Sequence, residues 1–109
     1  MYKFKSKVTS DLIMLEPNGR QILKILGKDD PASLHQGILL PQHMTEAIAA
    51  LEQAVAQDEA ERQQRAEEAR DKGEPLPHSE AIPLRLRATP FIAMLKRCQR
   101  ANKEVVWGV

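Results

Sequence analysis

Residues 56–73 read "AQDEAERQQRAEEARDKG", a run with no apolar side chain larger than alanine. Ala, Glu, Gln and Arg all favour the helix, and no β-branched residue interrupts them. Acid precedes base by four positions at Asp58–Arg62, Glu61–Arg65 and Glu68–Lys72. Each such pair adds about 0.2–0.5 kcal/mol to a solvated helix. The spacing therefore predicts a rod that stands in water without support. It decides the fold, because a chain of 109 residues with so long a polar element must build its core from the segments on either side.

Upstream, Met44, Ile48, Leu51 and Val55 follow one another at helical spacing as a clean apolar stripe. One helix over 43–72 is expected, roughly 45 Å long at 1.5 Å per residue. A compact body of this size is about 34 Å across, so the far end should project. The stripe stops at Val55, and charged seam positions beyond it exclude a coiled coil. Downstream, residues 73–83 form a Pro-rich connector, and Leu84, Ala88, Phe91, Leu95 and Cys98 repeat the same spacing within a helix over 84–102. Pro90 either kinks that helix or starts it afresh with Thr89 as its cap. Two matched stripes predict an antiparallel helical hairpin. Its first member is acidic and its second basic, which accounts for an uneven charge distribution inside a net charge of +1.

The remaining segments supply a sheet. In "YKFKSKV", Tyr2, Phe4, Ser6 and Val8 alternate with Lys3, Lys5 and Lys7, the period of a half-buried strand. Thr9, Ser10 and Asp11 read as a turn and "LIML" as the returning strand, giving a hairpin over 1–17. Residues 18–27 can form a second hairpin at Asn-Gly or a short helix. The helix is preferred, with Asn18 as N-cap and Gly27 as its stop. Residues 28–36 read as a loop, and 37–41 as a short extended segment able to serve as a third strand. In "KEVVWGV", residues 104–108 are expected to be a strand paired with the first, with Val105, Trp107 and Val109 on one side. The expected fold class is α+β: one domain with a small, mainly antiparallel sheet packed on a helical hairpin.

Composition narrows the function classes. Aromatic residues make up only 4%, so the core must be largely aliphatic. The single Cys98 forms no internal disulfide, which fits a reducing compartment. No apolar run has the length of a membrane span or of a signal peptide, and the expected location is cytoplasmic.

Chemistry is sparse. His35, His43 and His78 share no metal-ligand spacing with one another or with Cys98, so no metal site or cofactor is expected. Cys98 lies on the buried stripe, where a free thiol acts as a small hydrophobe. "PNGR" and "LGK" lack the length and context of a phosphate loop. No catalytic set converges. Lys3, Lys5 and Lys7, joined by Arg100 and Lys103 if the last strand pairs with the first, are candidate contacts for an anionic ligand or nucleic acid. Tyr2 and Phe4 point away from those lysines, though, and stacking needs exposed rings. Glu61, Arg62, Arg65 and Glu68 on the polar rod are a candidate partner surface with charge but no apolar anchor. The leading expectation is a non-enzymatic cytosolic protein acting through protein–protein association, with an unidentified partner or as a homodimer. The alternative is a module that binds nucleic acid or another anion through the lysine-lined strand.

The stretches "MYKFKSK", "DLIMLEPNGR", "ILKILGK", "AIAALE", "PFIAMLKR" and "VVWGV" span the chain from end to end. Through them it resembles a family of small bacterial proteins classed as a domain of unknown function, number eighteen-forty. The resemblance implies no reaction and assigns no catalytic or binding residue.

Overall fold

The computed structural model describes residues 1–73 and 83–108. The chain opens with a hairpin of β1 (Tyr2–Ser6) and β2 (Thr9–Met14). It continues through α1 (Glu16–Ile25), a one-turn helix α2 (Pro31–His35) and β3 (Gly37–Leu39). A 3-10 turn at Pro41–His43 leads into the 28-residue α3 (Met44–Asp71), followed by α4 (Leu84–Ala101) and β4 (Val105–Trp107). The strands form one antiparallel sheet in the order β2-β1-β4-β3. The fold is α+β, as expected, with the last strand inserted between the first and the third.

Alternation sets the two faces of the sheet. Tyr2, Phe4, Met14, Leu39, Val105 and Trp107 turn inward and share one core with Ile22 and Leu23 of α1, Met44 and Leu51 of α3, and Phe91 and Leu95 of α4. Phe4 sits at the centre, with its ring 4.8 Å from Phe91 and 5.8 Å from Trp107, centroid to centroid. All the helices that contribute to this core lie on one side of the sheet. The chain has few rings, and the structure gathers Tyr2, Phe4, Phe91 and Trp107 into it.

The helical hairpin is present and antiparallel: Arg85 pairs with Glu59 at 2.8 Å, Lys96 with Glu52 at 3.7 Å, and Gln99 bonds Thr45. As residue numbers rise along α4 they fall along α3. The apolar stripe Leu84, Ala88, Phe91, Leu95 and Cys98 is buried as its spacing predicts. α4 runs through Pro90 as one helix, so the restart with Thr89 as a cap is not what forms. The Thr89 hydroxyl instead donates back to the Arg85 carbonyl at 2.6 Å. Asn102 ends the helix in the left-handed conformation, and the amide of Lys103 bonds the Cys98 carbonyl at 2.9 Å, a Schellman closure.

Four local readings are corrected. The hairpin turn is Lys7–Val8, and Thr9, Ser10 and Asp11 belong to β2. A bulge moves the register from Phe4 opposite Leu12 to Ser6 opposite Thr9, which places the turn earlier than composition suggests. α1 begins at Glu16 with Pro17 in its first turn, so Asn18 is not its cap; Gly27, at φ +75°, is its stop. Residues 31–35, read as loop, form α2, with the Asp30 carboxylate accepting from the Ser33 amide at 3.0 Å. That helix presents carbonyls to two inward-facing donors. The Trp107 indole N–H donates to Ser33 O at 2.7 Å, and the Tyr2 hydroxyl to Leu34 O at 2.8 Å.

The fourth correction concerns the polar rod. α3 does run to Asp71, and the described body measures 51 × 25 × 23 Å. Its distal half is not wholly surrounded by water. Asp58 and Arg62 are half-buried, and further along the same face Ala66 is half-buried and Ala69 is buried. The inner stripe therefore continues past Val55 in small and polar side chains. Of the three expected ion pairs, Asp58–Arg62 is made at 2.9 Å. Glu61 and Glu68 instead accept from the amides of Gln57 and Gln64, each four residues earlier. The connector over 73–83 and the orientation of Val109 fall outside the described residues, apart from Gly73 and Pro83.

Gly37 faces Trp107, and a Cβ there would collide with the indole. Gly37→Ala is expected to destabilise the protein by about 1–3 kcal/mol, the range for overpacking a filled site. Urea unfolding of the two proteins checks it.

Candidate functional site

The side chains that turn away from the core define a second surface. On β1 these are Lys3 and Lys5, and on β2 Asp11 and Ile13; Glu104 and Val106 come from the β4 segment, and Ile38 from β3. Strand pairing arranges them in rows. Lys3 stands opposite Ile13, while Lys5, Val106 and Ile38 line up across three strands. Ile13 is 52% exposed and Ile38 44%, so both aliphatic side chains meet solvent on this face. Among the described residues nothing covers this face.

Its electrostatics are mixed. Lys5, Lys7, Asp11, Glu104 and Val106 border a shallow depression of about 290 Å³. No ion pair joins these lysines and carboxylates among the described residues, so the charges face solvent separately. A second depression, of about 340 Å³, runs between the Thr9–Leu12 stretch of β2 and the Pro90, Ala93 and Arg97 side of α4. The Thr9 hydroxyl oxygen is buried there and has no hydrogen-bond partner among the described residues.

The residues singled out in the sequence scatter. Lys3 and Lys5 share the outer face of β1, and Lys7 sits in the turn but still borders the first depression. Arg100 is exposed on the last turn of α4, and Lys103 is half-buried beyond it; neither lines the depression. The rings that could stack on a nucleic-acid base lie on the opposite face: Tyr2 is 8% exposed, and Phe4 and Trp107 are fully buried. Glu61, Arg65 and Glu68 are exposed on α3, whereas Arg62 is half-buried with Asp58. Cys98 is fully buried, and its thiol donates to the Ser6 hydroxyl at 3.1 Å. His35 closes α2 and His43 ends the 3-10 turn, while His78 lies outside the described residues. Among the described residues no group of three or more His, Cys, Asp or Glu side chains is placed to hold a metal ion. No helix there is long and apolar enough to cross a membrane.

Sequence reasoning found the lysines and missed Ile13, Ile38 and Val106 as members of one surface. They come from three strands, and only the order β2-β1-β4-β3 brings them together.

Fold and surface together define a small α+β protein with helices on one side of a four-stranded antiparallel sheet and a mixed apolar and charged face on the other. A family model described as a domain of unknown function, DUF1840, matches residues 1–107, and the chain belongs to that family. No curated protein and no solved structure gives a significant match.

Asp58 fastens the far end of the hairpin. Its carboxylate accepts from Arg62 Nε at 2.9 Å and from the Leu84 amide, the first of α4, at 3.4 Å. Partial burial pushes its pKa up, but the Arg62 and Leu84 hydrogen bonds and the charges of Arg62 and Arg87 outweigh this. The net result lies below the ordinary aspartate value. A depressed folded-state pKa gives stability that is complete above the unfolded value of about 3.9. It is lost as pH falls through the lower folded value. Asp58→Ala is expected to cost about 1 kcal/mol near neutral pH. The difference from wild type should shrink on acidification, which denaturant titrations at several pH values would show.

Proposed function

We propose that the protein is a non-enzymatic cytosolic protein that works by protein–protein association, with the outer face of the sheet as its contact surface. The carrying observation is the pair Ile13 and Ile38, about half exposed on a face that no described element covers. Val106 and Ile38 stand side by side, and Ile13 lies beyond the lysines of β1, so aliphatic and charged side chains alternate over one open face; an open surface of this mixed kind suits association with another protein. The partner that fits is a protein surface with carboxylates opposite Lys3 and Lys5, aliphatic side chains to either side of them opposite Ile13 and the Val106–Ile38 pair, and a cation opposite Glu104. Opposed charges of this kind select the partner and set its orientation more than they add affinity. A cytosolic setting is supported by the single, buried, unpaired Cys98.

The anion-binding reading draws support only from Lys3, Lys5 and Lys7, because the aromatic rings that would stack on bases are in the core. On a phosphate-rich resin, exchange of all three lysines for glutamine is expected to leave the salt at elution almost unchanged. A large drop would favour the anion-binding reading instead.

The association surface is tested in cells with a photo-crosslinking residue in place of Ile13 and, separately, of Glu61. The reading predicts a discrete protein adduct from position 13 that disappears with Ile38→Asp, and none from position 61. Adducts from position 61 alone, or adducts at position 13 indifferent to Ile38→Asp, would contradict it.

A further inference from the structure

Building on the sheet-face reading, we propose that the partner of the open face is a second copy of this chain, seated face to face about a two-fold axis with Lys5 of each copy on Glu104 of the other. The face carries both signs of charge beside an aliphatic pair. Lys5 on β1 and Glu104 just before β4 border one depression of about 290 Å³ together with Val106. Neither charge is in an ion pair among the described residues. Val106 stands opposite Lys5, and Ile38 stands opposite Val106 on the next strand.

A two-fold axis sets strict terms. A residue on the axis meets its own copy, and every contact away from it has a reciprocal. Aliphatic side chains tolerate meeting themselves, whereas charges must be exchanged for the opposite sign. When two sheets lie face to face, the axis runs in the plane between them. The axis that exchanges Lys5 with Glu104 bisects the line joining them. Val106 is about 5 Å from Lys5 across the strands and about 7 Å from Glu104 along the chain, so it is close to equidistant and lies beside that axis. The axis then runs diagonally from Val106 to Ile38, and both side chains meet their own copies. Strands of the two sheets cross steeply, one of the two ways in which sheets stack, with about 10 Å between them. Lys7, in the turn, comes near its own counterpart, and Asp11 on the same rim of the other copy offsets that repulsion. Ile13 of each copy stands at the border of the joined faces. A second copy is favoured over a foreign protein because both halves of the charge complement lie on this one face. With a net charge of only +1, mutual repulsion between copies is slight.

Light scattering on the purified protein across a concentration series tests the dimer. The mass is expected to rise with concentration from 12.3 kDa towards twice that value. Lys5→Glu and Glu104→Lys should each hold it at the monomer value, the two together should restore the rise, and Lys5→Arg should retain it. Wild type at the monomer mass throughout would overturn the proposal, as would a dimer indifferent to both single exchanges or a double exchange that fails to restore. A second measurement leaves the charges in place. Under mild oxidation Val106→Cys, beside the axis, should link two copies through a disulfide, and Ile13→Cys, at the border, should not; the native Cys98 is buried. Linkage from position 13, or none from position 106, would equally overturn the proposal. A monomeric wild type that still gives a foreign adduct at position 13 in cells would remove the dimer and leave the sheet-face reading standing, whereas the absence of any adduct there counts against that reading itself.

Discussion

The structure depends on the burial of Trp107 in a strand that arrives last and sits in the middle of the sheet. Among the described residues β4 alone links β1 to β3, so without it the sheet falls to a two-stranded hairpin, which is marginal alone in water. The indole packs on Phe4, occupies the space left by Gly37, and donates its N–H to α2. One side chain thereby ties two strands, a glycine and a one-turn helix into the core. A buried tryptophan needs a partner for its N–H, and the carbonyl of Ser33 supplies one.

The direction of Trp107 also decides what the other face becomes. With Val105 and Trp107 inward, Val106 must point outward, into line with Lys5 and Ile38. All the packed helices are committed to the Trp107 side. The outer face is left with aliphatic side chains that a fully independent body would cover or replace with polar ones. Core and contact surface are two consequences of one alternating pattern.

Legibility in the sequence followed the range of the interactions. The β1 alternation, the α4 stripe and the Gly27 stop are local patterns, and each could be read directly. α2 was missed although Asp30 followed by Pro31 is a helix-start signal. The donors that hold it, Tyr2 and Trp107, stand 32 and 74 residues from their acceptors, beyond the reach of any local window. The hairpin turn was misplaced because Thr9, Ser10 and Asp11 have turn chemistry, whereas the actual turn, Lys7–Val8, has none. The polar rod was right in length and wrong in its solitude. A stripe of alanines broken by an Asp–Arg pair carries almost no hydrophobic signal, yet it lies along the inner side of the helix. Of the candidate site, the lysines were visible from alternation. Ile13 and Ile38 took on meaning only with the strand order, which depends on where the final strand inserts.

The most direct measurement of the central claim is residue-resolved amide exchange over Val105–Trp107. If this strand is the centre of the sheet, its ladder amides exchange as slowly as those of α4 around Phe91, despite standing so near the end of the chain. Exchange there at the rate of a frayed terminus, with α4 still protected, would show that the core closes without β4 and would contradict the account.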